Sequence, residues 1–224
     1  MRKGICLLTA VFLPALSSLV QADLMAIWTF GPDAPHYTLD VTEEYVPGIP
    51  TLTVLGGQYD PDGKNGIAYR DSRETVYPGG QAVAWEDVSA ASPNLDAEWT
   101  VTINTTGWRN IRLRWDYFSD NTGGNLGPST FDLDYRVGDG AWVQVLNNEP
   151  IIRDDTWHGF TSDLSGKTAI ENQLLVQFRV SDLDRFDEDG DFRFDNFEVT
   201  GVPEPCSIAL LGLGGFMLLR KRGR

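Results

Sequence analysis

A chain of 224 residues with 32 acidic and 18 basic side chains carries a net charge of −14. Such a chain repels phosphate backbones, which excludes nucleic acid as a partner. Its two cysteines, Cys6 and Cys206, both lie in the end segments, so the body has no disulfide, no thiolate metal site and no cysteine nucleophile.

Residues 1–22 have the layout of a secretory signal peptide. Arg2 and Lys3 form a charged start, Ile5 to Leu19 is mostly apolar, and Val20-Gln21-Ala22 is a small-x-small pattern that places signal peptidase cleavage after Ala22. The body, 23–201, is more acidic than the whole, because six bases and one acid fall outside it, and it is long enough for one good core. Short runs of period two dominate it. Met25 to Phe30 alternates, Gly31 to Pro50 is Pro-rich and is expected to wrap one edge, and Thr51 to Leu55 is a strand. A helical turn or two is expected near Trp85 to Ala90. Glu98 to Asn104 sets Trp99, Val101 and Ile103 on one face. Asn110 to Phe118 points Ile111, Leu113 and Trp115 inward and Arg112, Arg114 and Asp116 outward.

The loop Ser119 to Ser129 is polar and Gly-rich, and it lacks the Gly-Lys-Ser/Thr of a phosphate loop. Phe131, Leu133, Tyr135 and Val137 share a face. Gly138-Asp139-Gly140 then turns the chain into Trp142, Val143 and Val145, a hairpin signal, because such turns need residues that tolerate φ > 0. Gln173 to Val180 is a strong strand and Asp191 to Thr200 the last one, with Gly201 and Val202 expected as a short hinge to the end segment. There Phe192 and Phe194 fall out of phase with Phe197 and Val199, and one extra residue at Asp195-Asn196, a β-bulge, restores the alternation. Roughly ten to twelve short strands around one core predict an all-β fold, a two-sheet antiparallel β-sandwich or jelly roll.

Several residue groups carry chemistry. Asp182, Asp184, Asp187, Asp189 and Asp191 crowd the turn before the last strand, and Asp187-x-Asp189-Gly190-Asp191 offers the carboxylate oxygens that Ca²⁺ takes. The spacing is not that of an EF-hand, and a solvated acidic turn is the alternative. Asp60-x-Asp62-Gly63-x-Asn65 repeats the chemistry on a smaller scale. Of seven tryptophans, Trp28, Trp99, Trp115 and Trp142 lie in alternating strands and are expected in the core. Trp108, Tyr117 and Trp157 fall in or beside polar loops and are the candidates for stacking on sugar rings. Catalysis finds little support. His36 and His158 are isolated, and neither a His-Glu-x-x-His nor a Gly-x-Ser-x-Gly motif occurs. Paired carboxylates for glycan hydrolysis depend on the fold and stay open.

The final segment, 202–224, has three parts in order: Val202-Pro203-Glu204-Pro205, an apolar run from Cys206 to Leu219, and Arg220-Lys221-Arg222-Gly223-Arg224. Basic residues after an apolar run mark the cytoplasmic side, which leaves the body outside. The run is short: as a helix about 14 residues span roughly 21 Å, against a hydrocarbon core of about 30 Å. These residues resemble a PEP-CTERM sorting domain, with Cys206 standing where Ser, Thr or Ala is usual. The resemblance covers only this segment. It implies a Gram-negative-type bacterium, recognition and cleavage near Pro-Glu-Pro by an exosortase, and a role in exopolysaccharide, floc or biofilm. An ordinary anchor that is never cut is the alternative. The expected protein is therefore exported to the cell surface or extracellular matrix and is structural or adhesive in its polysaccharide. The second reading is a carbohydrate-binding module with a calcium site; a glycan hydrolase is the third.

Overall fold

The computed structural model describes residues 22–30, 43–55, 58–59, 64–65, 69–70, 76–77, 81–86, 97–121, 126–183 and 190–204. Its strands are β1 (Asp23–Trp28), β2 (Glu43–Glu44), β3 (Thr51–Leu55), β4 (Gln58–Tyr59), β5 (Lys64–Asn65), β6 (Tyr69–Arg70), β7 (Val76–Tyr77) and β8 (Gln81–Glu86). They continue with β9 (Glu98–Ile103), β10 (Trp108–Ser119), β11 (Thr130–Val137), β12 (Val143–Pro150), β13 (Trp157–Asp163), β14 (Val176–Ser181) and β15 (Phe192–Pro203). Among the described residues the one helical element is a 3₁₀ turn at Thr168–Ile170.

Two antiparallel sheets face each other. Sheet A runs β13-β10-β15-β1-β2, with β8 also on β15 and β4 and β5 on β8; sheet B runs β12-β11-β14-β9-β3. β6 and β7 pair separately. The all-β sandwich read from alternation is the observed fold. In β9, Trp99, Val101 and Ile103 are buried while Glu98, Thr100 and Thr102 are half-exposed, as a pleat with one covered face requires.

The core is an aromatic layer between the sheets. Trp99 of sheet B stacks on Phe194 of sheet A, with centroids 4.5 Å apart and planes 7° from parallel. It lies 5.8 Å from Trp85 and meets Trp115 edge-on at 5.9 Å. Trp115 stacks on Phe197 at 5.8 Å and reaches Phe131 of sheet B at 5.6 Å. Buried rings of this size supply the burial that disulfides supply elsewhere.

β15 sits at the centre of sheet A. On one side it pairs with β10 along its length. On the other, Phe192, Arg193 and Phe194 pair with β8, and Phe197 to Gly201 pair with β1. The expected bulge falls at this change of partner: Asp116 pairs with Asp195 and Arg114 with Glu198, so β15 carries one residue more than β10. The extra residue, Asn196, has φ 54°, which asparagine tolerates better than most side chains. Further bulges between paired strands fall at Asn110 (φ 52°) and Asn148 (φ 52°). The turn at Gly138 also forms as expected, with the Gly140 N–H donating to the Val137 carbonyl at 3.0 Å.

Three local expectations fail. Gln81 to Glu86 is a strand rather than part of a helical turn, because pairing with β15 places Val83 and Trp85 in the core; residues 87–90 lie outside the described set. Gly201 and Val202 are not a hinge. Both are buried positions of β15, and a Cβ on Gly201 would meet Met25 Sδ at 2.9 Å and Ile111 Cδ1 at 3.1 Å. Trp142 is not core. It lies half-buried just before β12, with the Arg136 and Arg179 guanidiniums 4.5 and 4.4 Å from its ring centroid.

If the layer is held from its middle, Trp99→Ala should remove about 3–5 kcal/mol of stability. Urea unfolding checks this: a lower midpoint with an unchanged slope is expected.

Candidate functional site

The register of sheet A decides what its outer face presents. Leu113, Trp115 and Tyr117 of β10 point into the core, so Arg112, Arg114, Asp116 and Phe118 point away from it. Pairing then builds rows across β13, β10 and β15: Trp157–Phe118–Arg193, Gly159–Asp116–Asp195, and Thr161–Arg114–Glu198. The bulge adds Asn196 to the middle row.

That middle row holds polar groups that are buried although they face away from the core. Asp116, Asp195 and Asn196 are buried, as is Glu198 in the next row. Asn196 Nδ2 donates to Asp116 Oδ2 at 3.0 Å, and the Asn196 N–H donates to Asp195 Oδ1 at 2.7 Å. Burial pushes the Asp116 carboxyl up from its ordinary value; the Asn196 hydrogen bond and Arg114 pull it down, and Glu198 raises it. Gly159, opposite Asp116, is exposed and has no side chain. A Cβ there would stand 3.3 Å from Asp116 Oδ1, so glycine keeps the carboxyl approachable from β13.

Aromatic surface flanks this row. Trp157 is half-buried, with its ring 6.0 Å from that of Phe118. The Arg193 guanidinium lies 4.5 Å over Phe118 and bonds Asp191 Oδ2 at 3.0 Å, while its buried Nε finds no partner among the described residues. A half-buried ring beside a recessed carboxyl can take a polyhydroxylated ring by stacking and charge-assisted hydrogen bonds.

The outer face of sheet B has similar residue types arranged differently. Arg179 Nη2 bonds Asp134 Oδ2 at 2.7 Å and lies 3.9 Å by Nη1 from Glu98. Arg136 Nε donates to Gln177 Oε1, and Gln177 Nε2 donates to Thr102 Oγ1 at 3.1 Å. Both arginines also lie on the Trp142 ring. This face uses its donors and acceptors on itself.

The residues expected to form sites are scattered. Trp157 lies on the outer face of sheet A. Trp108 and Tyr117 are buried in the core cluster and offer no open ring face; the Tyr117 hydroxyl accepts the Ile152 N–H at 3.2 Å. Asp182 is exposed with φ 54°, and Asp191 pairs with Arg193. Asp184, Asp187 and Asp189 lie outside the described residues, as do Asp60, Asp62, Gly63 and Pro205. Val202 and Pro203 end β15, and the Glu204 N–H donates to the Gly107 carbonyl at 2.7 Å. Asp116, Phe118, Gly159, Arg193 and Asn196 were not among the expected site residues. Only Asn196 carried a signal, through the broken alternation.

Two further groups lie where the 119–129 and 151–156 loops meet β15. Gly127 and Gly190 cross closely, since a Cβ on Gly190 would meet the Leu126 carbonyl oxygen at 2.3 Å. The Asp120 carboxyl is pushed up to about 6 by burial, by its hydrogen bond with Asp155 and by the charges of Asp191 and Asp155. Nearby, His158 Nε2 lies 2.8 Å from Asp154 Oδ1 and 3.0 Å from Thr156 Oγ1. A hydrolytic relay needs the two ring nitrogens to face different partners. Here one nitrogen faces both, so the trio is a turn clasp.

No family model matches the chain, and no curated protein matches it in sequence. Solved structures do match. The CBM22-1 xylan-binding domain from Paenibacillus barcinonensis Xyn10C has a TM-score of 0.40 at 14% identity, over 82% of this chain and 97% of that one. A carbohydrate binding module of family 29 gives 0.35 at 14%, over 69% and 94%. The enzymatically active domain of bacteriophage CBA120 tailspike protein 4 gives 0.35 at 11%, over 68% of this chain and 19% of that one. The fold assignment stands on the strand ladders.

The shared proton of Asp120 gives a pH signature. Its folded pKa, about 6, lies above the unfolded value of about 3.9. Between these values the unfolded chain releases a proton that the folded chain keeps, so this stabilisation is full below about pH 4 and is lost as pH rises through about 6. Asp120→Asn should therefore raise Tm relative to the parent at pH 7.5 and leave it unchanged near pH 4. Parallel Tm–pH curves for the two proteins would contradict the assignment.

Proposed function

We propose that this chain is an exported carbohydrate-binding module of the cell envelope, with sheet A as its ligand face. The observation that carries the reading is the row Gly159–Asp116–Asn196 beside Trp157, Phe118 and Arg193: polar groups recessed on the side away from the core, next to aromatic surface, at a gap left by a glycine. Burying the Arg193 Nε with no hydrogen-bond partner among the described residues is unfavourable, and a side-chain shift that brings it to a ligand hydroxyl relieves it. The outer face of sheet B gives less incentive, because Arg136, Arg179, Asp134, Gln177 and Thr102 there already pair. The work of the module is retention of a glycan rather than cleavage.

The end segments support placement outside the cytoplasmic membrane. The signal-peptide pattern of 1–22 and the sorting-like segment 202–224 suit a protein held in, or released into, an extracellular polysaccharide matrix. Signal peptidase and an exosortase would then be its processing partners and the matrix glycan its ligand.

The test is binding of the full chain, in mild detergent, to immobilised neutral polysaccharides and to exopolysaccharide from the producing cells. Trp157→Ala should weaken binding at least tenfold, about 1.4 kcal/mol, with the melting temperature recorded alongside. Asp116→Asn should weaken it without loss of fold, and Trp142→Ala should leave it within twofold. Loss with Trp142→Ala and none with Trp157→Ala would move the site to sheet B, and no binding to any glycan would sink the proposal. The same titration in millimolar Ca²⁺ and in chelator tests the ion expected on Asp182, Asp184, Asp187, Asp189 and Asp191: equal affinity and equal Tm would remove it.

A further inference from the structure

The pole at which the chain leaves the sandwich carries exposed apolar side chains. Asp23 pairs with Gly201, so the start of β1 and the end of β15 emerge at one pole. There the Glu204 N–H donates to the Gly107 carbonyl at 2.7 Å, and the Gly107 N–H donates to Asn172 Oδ1 at 3.0 Å. Immediately beyond Asn172 and Gln173, Leu174 and Leu175 join Ile49 and Asn104 around a shallow groove of about 160 Å³. Leu174 is 79% exposed and Ile49 78%, whereas large apolar side chains elsewhere in the described strands are mostly buried. Acids lie at both poles: Asp23, Asp163, Glu171 and Glu204 at this one, and Asp120, Asp154, Asp182 and Asp191 at the opposite one, where β10 and β14 end and β13 and β15 begin.

The chain beyond Glu204 decides what this pole meets. Only Pro205 separates Glu204 from the apolar run that begins at Cys206. The Cα atoms of 204 and 206 are therefore at most about 7 Å apart. The polar layer on each side of a bilayer is only about 5–8 Å thick. A tether this short can bring no other pole to the surface, since β15 alone carries the far end some 30 Å away. Exposed leucines at the exit are then within reach of the acyl boundary.

We propose that this pole is a lipid-contact surface, with Ile49, Leu174 and Leu175 seated in the headgroup layer of the membrane that holds 206–219. The inference rests on the reading that 206–219 engages a bilayer.

The full chain, with Cys6→Ser and Cys206→Ser, is reconstituted into phosphatidylcholine vesicles. An environment-sensitive fluorophore is placed at Leu174→Cys or, at the far pole, at Thr156→Cys. Nitroxide-bearing lipids should quench the probe at 174 at least threefold more than the probe at 156. Leu174→Asp with Leu175→Asp should relieve the quenching of a probe at Ile49→Cys. A chain that floats with the vesicles but shows equal quenching at both poles overturns this inference alone. A chain that does not float overturns it together with the tethering reading. A probe at 174 that is shielded but unquenched, in a chain of dimeric mass, gives the groove to a second copy and overturns lipid contact.

Discussion

Everything in sheet A depends on one inserted residue. β15 must serve three neighbours, and it changes from β8 to β1 between Phe194 and Phe197. A strand of strict alternation would turn either the first pair of phenylalanines or the second away from the core. The bulge at Asn196 absorbs the phase error, so Phe192, Phe194, Phe197 and Val199 all reach the aromatic layer. The same insertion turns Asp195 and Asn196 outward together and sets an amide on Asp116. Core and outer face are thus fixed by one backbone event. Its left-handed φ suits asparagine, whose side chain also makes the contact that matters.

The outer faces show how similar residues acquire different roles. On sheet B, arginine, carboxylate, glutamine and threonine lie in register and satisfy one another, and Trp142 is held by two guanidiniums. Such a face stabilises and needs nothing further. On sheet A, the glycine at 159 interrupts the row, the carboxyl behind it is desolvated, and the Arg193 Nε has no partner among the described residues. The difference lies in register and in one missing side chain, not in composition.

That difference explains what the sequence made legible. Alternation found most of the long strands and the bulge, and the Gly-Asp-Gly residues found the turn, because each is a local property of a few consecutive residues; β8 and β13 were not among them. Tyr117 alternates with Trp115 and belonged to the core by the same rule, but its place beside a polar loop argued the other way. Trp108 follows a turn and looked solvent-facing, yet it opens β10 opposite Pro203. Gln81 to Glu86 contains two alanines and a glutamate, residues that also suit a helix, and pairing with β15 overrode that tendency. Asp116, Gly159 and Arg193 lie on three strands. No spacing along the chain brings them together, since only cross-strand register does.

The direction of β15 has a mechanical meaning. The strand crosses the Asp116 row and leaves the sandwich at Glu204, so under the proposed function a load between glycan and tail would run along its axis. Its ladder to β10 stretches from Trp108 to Ser119, and antiparallel hydrogen bonds stand across the strand direction. Pulled this way, the ladder is sheared, and many bonds must yield at once instead of opening one by one from an end. A sandwich built on this strand resists a pull best along the strand's own axis.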